Sequence, residues 1–550
     1  LKKRFIFLII FIFVGTIFEL LSVALLIPIL NILVGNIDDI KNFLTEYNLE
    51  ILINFISIKN ILLLFLIIFI VKSLFRLFLV HYQSNFIFSL YKFLVNKLYK
   101  HYILKNYLFH IKNNTSKIIR NLTQEIHMCS IGYMGAITNI ILEVLMILSL
   151  MSFLLYYEPN VVLVFILITG AVSLILVKFL NLISKKLGKK RQKFALINLN
   201  TIINGFGGIK DIIVNNKENE IIEKFRLNSE NLKINSYIFQ VLQQIPKIIL
   251  ELIVVISILI LLMYFLHINM PKDEIIVFFG LMIGIFSRVM PSIYKLSSSY
   301  VNLSYYKPAL DLMYNEIGKI GSNDNFKEIS KNLNFEKKIE LKNITFFYNN
   351  EKNTILKNAN LTIKKGEIIG VYGESGSGKS TLIDIIIGLL EPQKGEVLVD
   401  NNDIKKNKKD WFKKIGYVPQ SVYLNSDTIK NNIYFYERKN LNSIKKLKNS
   451  LKISQLNKMA LNRNVGERGI QISGGQKQRI GLARALYKDF DILILDEATS
   501  ALDTENEENF LKDVFKLKSG KTLIIISHKK SIVDKCDKVI TIKDNKIKQI

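Results

Sequence analysis

Nine consecutive residues constrain this chain more than any other stretch: Gly373, Glu374, Ser375, Gly376, Ser377, Gly378, Lys379, Ser380 and Thr381. They fit the pattern G-x-x-x-x-G-K-[S/T]. Before them, Glu367–Tyr372 is a short apolar run suited to a buried strand, and after them Leu382–Leu390 carries helical apolar spacing. Strand, glycine-rich loop and helix together let backbone N–H groups turn inward on a polyphosphate, and the helix N-terminus adds its partial positive charge. Lys379 is placed to reach the β- and γ-phosphates and Ser380 to ligate Mg²⁺. A chance glycine-rich turn is the alternative, and this spacing and context disfavour it. The stretch predicts binding of a nucleoside triphosphate.

A second constellation supplies chemistry for that nucleotide. Asp491–Glu497 reads as an apolar strand ending in two carboxylates, which presents Asp496 to the Mg²⁺ site and places Glu497 to polarise a water for attack on the γ-phosphate. Two solvated strand-end acids would look the same in isolation, but not downstream of a phosphate loop. Further on, Ile472, Ser473, Gly474, Gly475 and Gln476 precede an amphipathic helical stretch, so the serine and glycines predict a helix-capping, anion-accepting turn.

The rest of the chain is of another kind. Of 550 residues, 50% are hydrophobic, which is too many for a soluble enzyme, yet 22% are charged, too many for a bare membrane bundle. A membrane part joined to a soluble part fits both figures. The formal charge of +28 suits nucleic acid or anionic lipid as partner, although a Lys-, Ile- and Asn-biased composition explains much of it. Lys-rich stretches such as Lys405–Lys409 read as solvated loop. Two cysteines and six scattered histidines provide neither a disulfide framework nor a metal-ligand cluster.

Lys2, Lys3 and Arg4 precede an apolar run to about Leu33 that only Glu19 interrupts. With no clear cleavage site it reads as a first transmembrane helix, not a signal peptide. The chain begins at Leu, compatible with residues preceding it. Further spans are expected at Ile61–Val80, Ile137–Tyr157, Val161–Leu182, Ile248–Leu266 and from Ile275 past Val289, each near the ~20 residues a bilayer requires. Lys and Arg crowd the N-terminus and the long loops after spans two and four, while the connection at Tyr157–Val161 carries none and that at Asn36–Asn60 is acidic. This alternation places the N-terminus and both long loops in the cytoplasm. The loops show helical apolar periodicity at Phe86–Leu104 and Leu196–Phe225, so they are expected to continue the spans as helices. Asn36–Asn48 is expected to form a short amphipathic helix outside. Polar composition at Gly318–Lys338 marks a boundary between a membrane domain, residues 1–320, and an α/β nucleotide-binding domain, residues 331–550.

With these motifs in place, the second domain resembles the ATPase of ABC transporters and the whole chain an exporter half-transporter. The resemblance implies ATP and Mg²⁺ as cofactors and ATP hydrolysis coupled to transport. Tyr348 matches the aromatic that stacks on adenine, Gln420 the glutamine that senses Mg²⁺, and His528 the γ-phosphate switch histidine. Gly466–Gly469 matches the short loop before the signature, which here has Ile472 where Leu is usual, and Ser500–Asp503 matches the dimer-contacting loop. In the family the signature serine faces the phosphate loop of a second ATPase domain. A chain with one such domain is therefore expected to pair with a second copy of itself, in the inner membrane of a bacterium with the ATPase in the cytoplasm. The loops near Asn106–Ser116 and Gly205–Ile213 are candidate couplers.

Ionisable residues inside spans point to the cargo. Lys72 and Arg76 are four apart on one face, Lys247 opens span five, and Arg288 and Lys295 are seven apart on one face of span six. At about 1.5 Å per residue, Arg288 falls near mid-membrane. Buried cations cost on the order of 2.5–3.5 kcal/mol each on insertion scales and should face a cavity or partner, while Lys247 and Lys295 have the option of snorkelling. Span acids available to neutralise them are few: Glu19, Glu143 and Glu251. A net cationic cavity suits an anionic guest. Ser287–Tyr306 and Ile245-Pro246-Lys247 resemble the lipid-linked oligosaccharide flippases of the PglK type. There, basic residues matching Lys72, Lys247, Arg288 and Lys295 engage a lipid pyrophosphate. Lys stands here at three of the four positions, where that flippase has Arg, and it lacks the bidentate fork. Export of other lipids, peptides or drugs stays open, as does a membrane-tethered regulatory ATPase. The spans argue against nucleic acid as partner.

Overall fold

The computed structural model describes residues 1–25, 29, 58–157, 159–268, 272–318, 333–349, 351–437, 441–457, 459–499, 504–518 and 520–550. It divides into two compact units, one of Leu1–Lys105 with Lys112–Asn325 and one of Asn106–Ile111 with Phe326–Ile550. The expected helix at Asn36–Asn48 and the loop Ser500–Asp503 lie outside the described residues, as does the end of the first span beyond residue 29.

The first unit is built of long helices: α1 (Lys2–Ala24), α2 (Ile58–Ile103), α3 (Gly135–Tyr157), α4 (Pro159–Gly207), α5 (Glu218–His267) and α6 (Lys272–Gly318). Among the described residues four helical stretches are long and apolar enough to cross a membrane: Lys2–Ala24, Lys59–Ile103, Thr115–Phe153 and Glu218–His267. The stretches expected at Val161–Leu182 and Ile275–Val289 lie in α4 and α6, and many of their side chains are outside the described set. The helix of 50 residues is about 75 Å long, more than twice a ~30 Å hydrocarbon core. The apolar periodicity beyond the spans thus continues α2 and α4 as helix, and the chain reverses through a short helix at Ile209–Val214 before α5. Val23, Met146, Leu150, Leu250 and Val289 join α1, α3, α5 and α6. Leu180, Leu187, Phe239, Leu242, Val301 and Tyr305 join α4, α5 and α6. At Gly188 the helices approach so closely that a Cβ would lie 2.1 Å from the Tyr305 carbonyl oxygen.

The second unit holds two sheets. An antiparallel one has the order β2-β1-β4-β5, from Thr354–Lys364, Lys338–Phe347, Lys394–Val399 and Asn402–Asp403. The other has the order β10-β9-β3-β8-β7-β6, from Lys546–Gln549, Lys538–Lys543, Ile368–Tyr372, Thr522–Ile526, Ile492–Asp496 and Ile415–Val418. Strands β9, β3, β8, β7 and β6 run parallel. β7 and β8 are buried along their whole length, as apolar runs covered on both faces should be. The register pairs Val371 and Asp496 with Ile526, and Val418 with Leu495. The loops that follow these four strands therefore emerge side by side at one sheet end, where open α/β sheets bind ligands.

Three helices matter for the site: α7 (Lys379–Ile387), α8 (Ile429–Tyr434) and α9 (Gly474–Tyr487). α7 buries Leu382, Ile383, Ile385 and Ile386, and the fully buried Trp411 donates its indole N–H to the Ile386 carbonyl at 2.9 Å. Leu108, on the short helix Tyr107–Lys112, packs against this unit's core. Lys405–Lys409 is not the free loop expected of it. A 3₁₀ turn and a helix take up Ile404–Lys406 and Lys408–Lys413, and Lys405 and Lys408 both pair with Glu391.

Candidate functional site

The phosphate loop turns on three glycines with positive φ, Gly373, Gly376 and Gly378. Gly378 caps α7 at φ +100°, and a Cβ there would lie 2.7 Å from the Ile355 side chain. Lys379 is buried, and its ammonium donates to the Gly373 and Glu374 carbonyls, each at 2.7 Å. Burial holds its pKa below the usual lysine range, against the pull of Glu497 and Asp496. The Ser377 hydroxyl is buried with no hydrogen-bond partner among the described residues, while Ser380 is exposed. An ammonium, an unpartnered buried hydroxyl and left-handed glycines on one loop fit a polyphosphate. Tyr348 lies beside this loop, its hydroxyl 3.1 Å from that of Thr381 and its ring edge-on to Phe346.

β7 ends as its sequence predicts. Asp496 is buried and accepts from the Tyr417 hydroxyl at 3.3 Å. Desolvation raises its pKa, with the neighbouring Glu497 adding to the shift and Tyr417 and Lys379 opposing it. Glu497 then leaves the strand in the left-handed region, at φ +49°, held by its N–H on the Ile526 carbonyl at 3.2 Å. There it meets two of the other predicted residues. Gln420 donates its amide to one carboxylate oxygen at 2.6 Å, and the His528 Nε2 lies 2.5 Å from the other. The structure thus clamps Glu497 between the loops after β6 and β8. Ser380, the Gln420 amide oxygen and Asp496 are hard oxygen donors, the set that suits Mg²⁺.

Ser473 caps α9 in a capping box: its hydroxyl accepts from the Gln476 N–H at 3.3 Å, and the Gln476 side chain accepts from the Ser473 N–H at 3.1 Å. Gly474 and Gly475 open the helix. The sequence reading missed three residues that support this frame. Asp384 interrupts the apolar face of α7, a visible signal, and burial beside Asp496 pushes its pKa up to about 6. Tyr417 orients Asp496. Arg484 on α9 donates to the Asn432 carbonyl and the Tyr423 carbonyl, both at 3.0 Å, and stacks 4.3 Å from Phe435, tying α9 to α8. Burial lowers its pKa to about 10.

In the first unit, a cavity of about 290 Å³ is lined by Glu19, Phe69, Lys72, Ser73, Arg76, Met146, Pro291, Ser292 and Lys295. Lys72 and Lys295, both predicted, meet there with Arg76. Lys247 does not line it: it pairs with Glu251 at 3.9 Å and sits 5.9 Å from the Tyr294 ring. Arg288 is in α6, but its side chain lies outside the described residues. Among the described residues, the span acids named from the sequence are all paired. Glu19 pairs with both Lys72 and Arg76, and Glu143 with Lys295 at 3.6 Å. Carboxylates of the same unit therefore offset part of the charge that these cations bring to the cavity.

A phosphate loop at the end of a parallel sheet, strand-end carboxylates and a capped serine-glycine turn define a P-loop ATPase domain, here in one chain with a unit of long apolar helices. Residues 356–500 match the ABC transporter family. The ATP-dependent lipid A-core flippase of Pectobacterium atrosepticum is 38% identical over 216 residues, 38% of this chain and 37% of that protein. The flippase of the same description from Pasteurella multocida is 27% identical over 459 residues, 80% of this chain and 76% of that one. The match to the first of these relatives thus spans little more than a third of its length. A bacterial Atm1-family ABC exporter with ATP bound shares the fold over 100% of this chain and 95% of its own, with a TM-score of 0.82 at 17% identity. Residues 356–500 are thus an ATPase domain of the ABC transporter family, and the chain as a whole has the fold of an ABC exporter, with the helical region and the ATPase domain fused in one chain.

Proposed function

We propose that two copies of this chain form an ATP-driven transporter of the bacterial inner membrane that flips an anionic, lipid-linked substrate, with the polyprenyl-pyrophosphate-linked oligosaccharides as the leading class. The observation that carries the reading is the pairing, in one chain, of a cavity lined by Lys72, Arg76 and Lys295 with a clamped Glu497 beside a phosphate loop. Lys379 and the loop amides hold the β- and γ-phosphates of ATP, and Tyr348 faces the base. Mg²⁺, held by Ser380, Gln420 and Asp496, supplies charge neutralisation to the phosphates when bound. Glu497, oriented by Gln420 and His528, accepts the proton of the attacking water. Ser473, Gly474, Gly475 and Gln476 of one copy close on the phosphate loop of the other. Asn106–Ser116 and Gly205–Ile213, which hold short helices at Tyr107–Lys112 and Ile209–Val214, are the candidates for passing that closure on.

The relatives named lipid A-core flippases favour a second reading, export of another phosphate-bearing lipid. Both readings need a cationic cavity, and the test separates them. Proteoliposomes carrying the protein receive fluorescent lipid-linked oligosaccharide or lipid A-core, and ATP from outside, and enzymatic access to the headgroup reports flipping. Flipping of the oligosaccharide lipid by wild type, with loss in Arg288→Gln and partial recovery in Arg288→Lys, is the expected result, because Lys lacks the planar fork. Flipping of lipid A-core alone moves the substrate to the second class. Flipping of neither lipid overturns both.

A further inference from the structure

Glu19 is the one carboxylate lining the cavity among the described residues, and it is buried in α1. Both of its oxygens are engaged from α2: one pairs with Lys72, and the other accepts from Arg76 Nη1 at 3.3 Å. Ser22 braces the pair, accepting from Lys72 at 3.0 Å and lying 3.5 Å from the carboxylate. An acid in an apolar membrane helix is costly unless a cation answers it. Here two cations answer one carboxylate, and Lys295 adds a third that Glu143, outside the lining, pairs with at 3.6 Å. Among the described residues, three cations against two carboxylates leave one formal positive charge in excess. Lys72 is 7% exposed, whereas Arg76 and Lys295 are 48% and 42% exposed, so their heads are the ones a guest can reach.

We infer that Glu19 is the built-in counter-ion of the cavity, anchored by Lys72 and competing with a guest's headgroup for Arg76, and so selecting guests that concentrate two or more negative charges at one centre. The inference rests on the proposed anionic-lipid substrate and deepens it. A singly charged phosphodiester offers the cations no more than Glu19 already does, and it must also displace a preorganised partner. A pyrophosphate offers more charge and more acceptor oxygens, and its bonds to Arg and Lys are charge-assisted. The discrimination has a use. The bilayer is filled with zwitterionic and singly charged phospholipids, and a cavity of bare cations would load them.

The test measures binding of a radiolabelled short-chain polyprenyl pyrophosphate to the full-length chain in phosphatidylcholine nanodiscs, with phosphatidylglycerol as the singly charged competitor. In wild type, phosphatidylglycerol displaces the probe only in large excess. Glu19→Gln removes the competitor, and the selectivity for pyrophosphate over phosphatidylglycerol falls about tenfold. Glu19→Asp keeps the charge that Lys72 requires for folding but draws it back from Arg76, and selectivity falls about threefold. If Glu19→Gln does not fold, Glu19→Asp decides alone. Selectivity unmoved in the folded variants reduces Glu19 to a structural partner of Lys72 and overturns the inference while leaving the substrate reading intact. A wild-type chain that binds no pyrophosphate lipid overturns the substrate reading and the inference with it.

Discussion

Glu497 sits in a backbone region that a glutamate seldom adopts, and that strain is offset by three contacts: its N–H on Ile526, the Gln420 amide and the His528 ring. The geometry aims a carboxylate, with both oxygens occupied by donors, at the end of the sheet where the phosphate loop emerges. Glu497→Gln is therefore expected to keep ATP binding while hydrolysis drops by about 100-fold or more. Turnover by purified protein at saturating Mg-ATP checks this, and near-normal turnover removes Glu497 from its role. Asp384 carries a second residue-scale expectation. Its folded pKa, about 6, lies above its ordinary value of 3.8 because of burial and Asp496. The folded state thus holds the proton more tightly than the unfolded chain, so the group's contribution is favourable below its ordinary pKa and is lost as pH rises toward 6. Asp384→Asn should raise the melting temperature at pH 7.5 and leave it nearly unchanged at pH 4. An equal shift at both pH values would contradict the assignment.

At the scale of elements, two contacts decide how helices are placed. α4 and α6 touch at Gly188, where a methyl group would meet the Tyr305 carbonyl oxygen at 2.1 Å. Backbone cannot yield as a flexible side chain does. Gly188→Ala is expected to destabilise the helical unit by about 1–3 kcal/mol. Chemical denaturation in detergent micelles would read this, and an unchanged midpoint would show that the helices are free to separate there. α9 owes its start to the Ser473–Gln476 box, so Ser473→Ala should cost about 1 kcal/mol of local stability. Hydrogen exchange at the first turn of α9 measures it. The periodicity of this helix was readable in the sequence, as were the strand–loop–helix unit around Lys379 and the continuation of α2 beyond its apolar span. Arg484, which ties α9 to α8, was not readable, because its partners are backbone carbonyls that no side-chain pattern reveals.

At the scale of the whole molecule, the proposed dimer makes an experiment in mixing possible. Lys379→Ala disables the phosphate loop, and Ser473→Arg blocks the capped turn. In a mixed dimer with sites composed across two copies, both lesions fall in one site and the other stays intact. ATPase activity should then rise above that of either variant alone, toward about half of wild type if the sites act independently. Activity no higher than the separate homodimers, once mixed dimers are shown to form, would mean that each site is built within one copy.

What the sequence determined by itself is whatever short-range spacing encodes. The phosphate loop, the strand-end acids Asp496 and Glu497, the helix-capping serine and the apolar stretches of the membrane part all lie within a few residues of their own context, and local backbone preference and periodicity suffice to specify them. The tertiary structure alone decided which of these meet. Gln420 and Glu497 are 77 residues apart and are joined only because β6 and β7 are neighbours in the sheet. The cavity shows the same limit more sharply. Lys72, Arg76 and Lys295 could be named as cations in apolar helices, but Glu19 as the partner of two of them could not, because α1 and α2 pack through apolar side chains whose pattern fixes which faces are buried and leaves the register between helices to the packing itself.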